Sequence, residues 1–179
     1  MDASGALATT AIWCMIETPR GILKVADIAG ASTRLGALVM GTSDLAKDLR
    51  ARHTHDRLPV LTALSLSVIA ARAAGLAILD GVHLDLDDDS GFLAACRQGS
   101  ELGFDGKTLI HPSHIEACNA IFTPPAEEVE QARKIIAAFE KPENASRGAI
   151  QLDGRMVERL HADMAKRTIA IADAIAVMG

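Results

Sequence analysis

The chain lacks an excess of positive charge, lacks paired cysteines and lacks any long hydrophobic run. Its 18 basic residues are outnumbered by 23 acidic ones, for a formal net charge of −5. No broad basic surface is therefore present for nucleic acid or an anionic membrane to bind. Cys14, Cys96 and Cys118 stand far apart in sequence. They offer neither the close pairs of a zinc site nor the even count of a secreted disulfide framework, and a reducing cytoplasm is the expected setting. The stretch MDASGALATTAIWCMIETPRG has no basic segment leading into an apolar one. Nor does any apolar run approach the roughly 20 residues of a membrane span. The expectation is a soluble cytoplasmic protein that binds a small molecule, with no nucleic acid and no membrane as partner.

A hydrophobic share of 49% over 179 residues suffices for one ordinary globular core. Along the chain, short apolar runs, polar turns holding Gly or Pro, and longer helical stretches alternate, which is the rhythm of βα units. The first apolar run is 11–16, stopped by Glu17-Thr18-Pro19-Arg20-Gly21, after which residues 22–31 have helical apolar spacing. The second, 34–40, is closed by Gly41-Thr42-Ser43-Asp44 and followed by a short helix over 45–52. A polar loop over 53–57 then leads to an Ala- and Leu-rich helix over 58–74, ended by Gly75. A third strand is expected at 78–84 with a helix at 92–102, and a fourth at 108–110. The fourth runs into His111-Pro112-Ser113, where Ser113 would cap a helix over 114–122. Further helices are predicted at 127–140 and 157–178, with an extended segment or hairpin over 149–156 between them. Four strands separated by helices require a parallel sheet, because parallel neighbours need crossover connections.

In parallel βα folds the loops after the strands collect on one face, and polar groups at those exits are the usual place for chemistry. Glu17 and Asp44 stand at two such exits, separated by about one strand-loop-helix-loop unit, so adjacent strands would set their carboxylates side by side. Two convergent carboxylates suit Mg²⁺, which keeps several positions for water and substrate oxygens. Acids at strand ends are more often solvated or helix-capping than metal ligands. Asp85, Asp87, Asp88 and Asp89 form a dense acidic run that reads as a solvated helix cap. His53 and His55 belong to an exposed polar loop, and His111 at a strand end reads first as a local hydrogen-bonding group.

Four blocks, CMIETPRG, RLGALVMGTSDLAKDL, GFDGKTLIHPSHIEACNAIFTPPAEEVEQARKIIAAF and AIQLDGRMVERL, resemble the HpcH/HpaI aldolase family, above all its citrate lyase beta-subunit-like and malyl-CoA lyase branch. They come in the family's order and spacing and, with their connections, cover nearly the whole chain. The resemblance implies an α/β fold, the (β/α)8 TIM barrel of the pyruvate kinase/PEP type. Such a barrel needs about 250 residues, so this chain would supply its C-terminal half. Residues 1–140 would hold about four βα units, and residues 141–179 a C-terminal lid and oligomerisation segment. The activity implied is that of a Mg²⁺-dependent carbon–carbon lyase, cleaving a 3-hydroxy acid or its CoA thioester by an aldol or Claisen route.

Residue by residue, Glu17 matches the Glu of the family's IET motif and Asp44 the Asp of its G-T-x-D-L motif, which together hold Mg²⁺. Gly41, Thr42 and Ser43 inherit the turn whose backbone N–H groups meet the substrate carboxylate, in line with the anion-binding capacity of successive amides beside a glycine. Near the C-terminus, LDGRMVERL is similar to a D-G-x-M-I-D segment whose last Asp is a catalytic acid on a lid reaching a neighbouring subunit. That position is Glu158 here, one methylene longer, while Asp153 matches the first Asp. A half-barrel leaves sheet edges and an apolar face to be covered. The chain is therefore expected to form a homo-oligomer in which residues 157–178 contribute to the contact. The alternative is a truncated, catalytically inactive half-barrel serving as an interaction or regulatory subunit.

Overall fold

A computed structural model describes residues 7, 9–144 and 146–178. The chain divides into two compact units, Met1–Phe122 and Thr123–Gly179. In the first, β1 (Ile12–Ile16), β2 (Leu35–Met40), β3 (Ala77–Asp80) and β4 (Gly106–Lys107) pair in sequence order, every pair parallel. Between the strands run α1 (Pro19–Leu23) and α2 (Val25–Ala29), then α3 (Thr42–Leu49) and α4 (Leu58–Ala73), then α5 (Asp89–Leu102). After β4 comes α6 (Ile115–Phe122). The expected parallel sheet of four βα units is present. Because every strand runs the same way, all four exits lie along one edge, where Glu17, Gly41, Gly81 and Thr108 follow the strands.

Alternation along β1 decides which residues are buried. Ile12, Cys14 and Ile16 join the core while Trp13 and Met15, on the opposite face, stay 65% and 53% exposed. On the covered face, Ile16, Leu38, Met40 and Ile78 pack with Leu64 and Ala71 of α4 and with Ile22 and Val25 of the first two helices. Each fully buried large aliphatic side chain contributes about 1.5–3 kcal/mol of transfer free energy, so this layer carries most of the unit's stability. A second cluster joins Phe92 and Cys96 of α5 to Cys118 of α6. Two cysteines far apart in sequence thus meet, both as free thiols. No helix among the described residues is long and apolar enough to cross a membrane.

Several boundaries differ from the sequence expectation. The helix predicted over 22–31 starts at Pro19 and breaks at Lys24, whose ψ of 13° interrupts the helical run. The helix placed at 45–52 begins at Thr42, which puts Ser43 and Asp44 into its first turn. The third strand stops at Asp80, where the chain presses so closely on β2 that a Cβ on Gly81 would lie 2.9 Å from the Met40 carbonyl. The fourth strand is Gly106–Lys107 and not 108–110. Leu79 and Asp80 pair with Gly106 and Lys107, and Thr108 closes the ladder on the Asp80 carbonyl with its amide and its hydroxyl.

The second unit consists of α7 (Ala126–Glu140), the antiparallel strands β5 (Ala149–Leu152) and β6 (Arg155–Glu158), and α8 (Arg159–Met178). Leu152 pairs with Arg155 across a two-residue turn of Asp153 and Gly154, both at positive φ (50° and 78°), the geometry that the right-handed twist of a hairpin favours. Of the two forms expected over 149–156, the hairpin is the one adopted. Its second strand runs on to Glu158, so the closing helix starts at Arg159 and not at 157. Ala138 and Phe139 of α7, Ile150 and Val157 of the hairpin, and Ala162 of α8 form its core. Arg159 lies over the Phe139 ring at 5.4 Å.

The central polar feature of the first unit is Asp80, whose side chain has no exposed surface. It accepts from both terminal nitrogens of Arg57, from Lys107 Nζ at 2.9 Å and from the Gly81 amide at 2.8 Å. Removing one partner from such a group strands the other charges away from water. Asp80→Ala is accordingly expected to destabilise the fold by about 3–5 kcal/mol, measured by urea unfolding, whereas a loss under about 1 kcal/mol would show that Arg57 and Lys107 regain solvent freely.

Candidate functional site

The exits of β1 and β2 meet at one turn. Ile16 pairs with Met40, and the Gly41 amide donates to the Ile16 carbonyl at 3.0 Å, so Glu17 comes to lie directly beside Gly41. Glycine is required there, because a Cβ on residue 41 would lie 2.8 Å from Glu17 Oε2 and 3.2 Å from Met15 Cγ. The Glu17 carboxylate is half-buried and has no hydrogen-bonding or ion-pair partner among the described residues. Gly41 is the N-cap of α3, with Thr42, Ser43 and Asp44 as the first turn. Thr42 is buried, and the Ser43 hydroxyl is buried without a partner among the described residues. Asp44 is exposed and accepts from Lys47 at 2.9 Å. Two acids thus stand at adjacent strand exits, Glu17 unpaired among the described residues and Asp44 turned to Lys47, and carboxylate oxygens are the donors a hard divalent cation takes.

The remaining sequence candidates fall in different places. Glu158 belongs to the second unit, at the end of β6, and its amide donates to His161 Nδ1 at 2.9 Å. His111 is exposed; its Nδ1 accepts from the Ser113 amide and lies 2.8 Å from the Ser113 hydroxyl, which makes His111, not Ser113, the cap of the turn before α6. Of the acidic run, Asp88 caps α5 through the Gly91 amide, while Asp85 accepts from the Asp87 amide. The hydrogen bond from Gly91 holds the Asp88 carboxyl below its ordinary value. His53 and His55 are exposed, as expected of a polar loop.

Sequence reasoning gave no role to three buried groups near these exits: Asp80, Lys107 and His114. His114 stacks on Phe92 with ring centroids 3.8 Å apart, and its Nε2 is buried without a hydrogen-bond partner among the described residues. His83, just after β3, stands 6.4 Å from it. The only sequence signal was the position of Asp80 and Lys107 beside strand ends, because nothing in the spacing of single residues reports a contact between elements so far apart in the chain.

A family model described as HpcH/HpaI aldolase/citrate lyase matches residues 2–112, and a second, described as a C–C bond lyase of the TIM-barrel fold, matches residues 60–177. The chain belongs to the HpcH/HpaI aldolase/citrate lyase family. Within that family, a (3S)-malyl-CoA thioesterase of Cereibacter sphaeroides is 49% identical over 165 residues, covering 92% of this chain and 58% of the relative. The citrate lyase subunit beta of Leuconostoc mesenteroides subsp. cremoris is 34% identical, covering 94% and 56%. A crystal structure of the protein CitE from Mycobacterium tuberculosis, in complex with magnesium, acetoacetate and coenzyme A, matches with a TM-score of 0.76 at 30% identity, covering 93% of this chain and 62% of that one. This HpcH/HpaI family chain therefore spans little more than half the length of the curated relatives it matches. Its open sheet of four βα units is the part of a TIM barrel that such a length allows.

Burial holds the His83 imidazole below its ordinary value of 6.5; the Lys107 and His114 charges push the same way, and Asp88 opposes them. A depressed folded value means that the unfolded chain binds the proton more readily. The contribution to stability is then complete above 6.5 and lost as pH falls below it. In a histidine NMR titration the His83 ring should show a midpoint under 6.5, and His83→Asn should flatten the fall in stability over that range. A midpoint at or above 6.5 would contradict the burial seen here.

Proposed function

We propose that this chain contributes the metal- and substrate-binding face of a Mg²⁺-dependent enzyme acting on a 3-hydroxy acid or its CoA thioester. Cleavage of a carbon–carbon bond by an aldol or Claisen route is the reaction it serves. The observation that carries the reading is the unpaired Glu17 carboxylate seated against Gly41 at the paired exits of β1 and β2. Glu17 and Asp44 would hold the ion, and when bound it would supply Lewis-acid stabilisation of negative charge on a substrate oxygen. For Asp44 to serve, it exchanges Lys47 for the cation; both side chains are exposed, and a solvent-screened pair of this kind competes weakly. The amides of Gly41, Thr42 and Ser43, at the uncapped start of α3, and the unpartnered Ser43 hydroxyl would receive the substrate carboxylate. Glu158, at the end of β6, is the proposed proton donor to the site of a neighbouring copy. Its extra methylene relative to the family's Asp makes its reach the most sensitive part of the scheme.

The 49% identity to a protein named (3S)-malyl-CoA thioesterase supports a second outcome at the same site, hydrolysis of the thioester in place of carbon–carbon cleavage. The two are separated by their products. Retro-Claisen cleavage of (3S)-malyl-CoA breaks the bond between C2 and C3, releases an aldehyde and leaves the thioester intact as acetyl-CoA. Hydrolysis adds water across the thioester and frees a thiol.

Calorimetric titration with Mg²⁺ is expected to show one ion bound per chain, with binding lost in Glu17→Gln and weakened in Gly41→Ala, whose new Cβ displaces the carboxylate. The absence of Mg²⁺ binding by this chain, and equally by a longer form carrying the rest of the barrel, would overturn the reading. Aldehyde and thiol assays with (3S)-malyl-CoA then decide between lyase and thioesterase, and turnover of neither would favour the inactive half-barrel.

We further propose a homo-oligomer in which α8 contributes to the contact. Supporting it, Leu160, Met164, Val177 and Met178 of that helix are all more than half exposed, as are Trp13 and Met15 in the first unit. Light scattering at micromolar concentration should return a mass at least twice 18.8 kDa. A stable, folded monomer would contradict it.

A further inference from the structure

We propose that Cys96 and Cys118 form a hydroperoxide-sensitive dithiol, a modification site that closes to a disulfide between α5 and α6 within the first unit. The placement of the pair follows from the way the two elements meet. Phe92 of α5 stacks on His114, which ends the short turn running into α6, with ring centroids 3.8 Å apart and an interplanar angle of 11°. Cys96 and Cys118 each stand four residues further along, and a step of four returns a helical side chain to the same face one turn on. The stack therefore sets the two sulfurs towards each other, and Phe92, Cys96 and Cys118 form one buried cluster. Cys118 is the one fully buried residue of α6, so this helix docks on α5 through that side chain.

Either cysteine by itself would be a small apolar filler. Together they are hydrogen-bonded thiol to thiol, and that bond brings Cys118 below its ordinary value of 9.0; burial opposes the shift, the Lys107 charge adds to it and Asp80 acts against it. The same bond, with burial, raises Cys96. The first proton thus leaves the pair from Cys118, and the thiolate is the form that attacks an oxidant. Cys96 has no exposed surface and Cys118 only 4%, so the oxidant must be as small as hydrogen peroxide. An eight-residue helix held by a single fully buried side chain opens locally more readily than the sheet beneath it. The Cys118 sulfur attacks one peroxide oxygen, the O–O bond breaks, and the departing hydroxide takes up the proton that Cys118 released. The sulfenic acid so formed has its resolving thiol already in contact. The Cys96 sulfur attacks the Cys118 sulfur, the S–O bond breaks, and that oxygen leaves with the Cys96 proton as a second water. The pair loses two electrons, which reduce one peroxide to two waters. The new bond, about 2.0 Å long, ties α6 to α5. Cys14 belongs to the other core cluster of the unit and stays a thiol. Glu17, Asp44 and Glu158 take no part, so this site stands or falls apart from the metal-dependent activity proposed above.

The test treats the full, reduced chain with hydrogen peroxide in EDTA, blocks the remaining thiols and maps the products by proteolysis and mass spectrometry. The expected product is a peptide pair joined through Cys96 and Cys118, with a loss of about 2 Da from the intact chain. Free thiols should fall from three to one, and dithiothreitol should restore them. Cys14→Ala, which removes the third thiol and leaves the pair in place, should show the same mass loss and the same joined peptides. Three free thiols remaining after a peroxide excess that oxidises free cysteine overturn the proposal. Peptides joined through Cys14 in place of this pair overturn it too. So does an identical mixture of joined peptides from the folded chain and from the chain in urea, because the linkage would then owe nothing to the packing of α6 on α5.

Discussion

Asp80 ends β3 with no exposed surface and gathers a guanidinium from the loop before α4, an ammonium from β4 and the amide of its own neighbour. Two strands and two helices converge on it, for α5 also comes close enough that a Cβ on Gly99 would lie 2.9 Å from Asp80 Oδ2. Taking these charges out of water is expensive, and such clusters seldom exceed well-packed apolar side chains in net stability. What the cluster supplies is direction. Arg57 holds a left-handed backbone conformation (φ 56°) that costs a residue with a Cβ roughly 1–2 kcal/mol. The bond to Asp80 keeps it there, at the point where the chain turns into α4. A second, solvent-accessible carboxylate makes a similar connection at the opposite end of the strand: Asp105 accepts from the Ile78 amide at 2.8 Å and from both terminal nitrogens of Arg72.

The candidate metal site depends on that frame through Gly81. Thr42 packs against the missing Cβ of Gly81, so the β3 exit, fixed by Asp80, presses on the turn that follows β2. The same turn, through Gly41, receives Glu17 from β1. A chain of close contacts therefore runs from the buried ion cluster to the free carboxylate, each link set by a glycine where backbone approaches backbone or side chain. Preorganised ligands need this kind of support, since loss of an ångström in position costs orders of magnitude in rate.

Membership in the HpcH/HpaI family adds meaning to what the sheet leaves open. A closed barrel fills its interior with side chains from alternate positions of its strands. Trp13 and Met15 occupy such positions on the first strand and are exposed. The covered face, by contrast, is complete in itself, with Leu38, Leu64 and Ile78 wholly buried between strands and helices. The first unit thus carries its own core, while its other face offers apolar surface for a further layer.

How much of this was legible in the sequence varies with the range of the interaction. Strands 1 and 2, α4 and the βα order were readable because apolar runs and their stops are local properties that solvent exclusion acts on directly. The motifs around Glu17 and Asp44 were readable too, since each motif is contiguous and its neighbours in the fold are neighbours in the chain by one βα unit. The ends of β3 and β4, the break at Lys24 and the extension of β6 to Glu158 were not. Each is decided by a contact with another element, as when Asp80 stops its strand by turning its side chain to residues 23 positions earlier and 27 later. Only the tertiary structure brought Cys96 to Cys118, His83 to His114, and two cations to one buried acid. Periodicity states which face of an element is buried, and folding alone states against what.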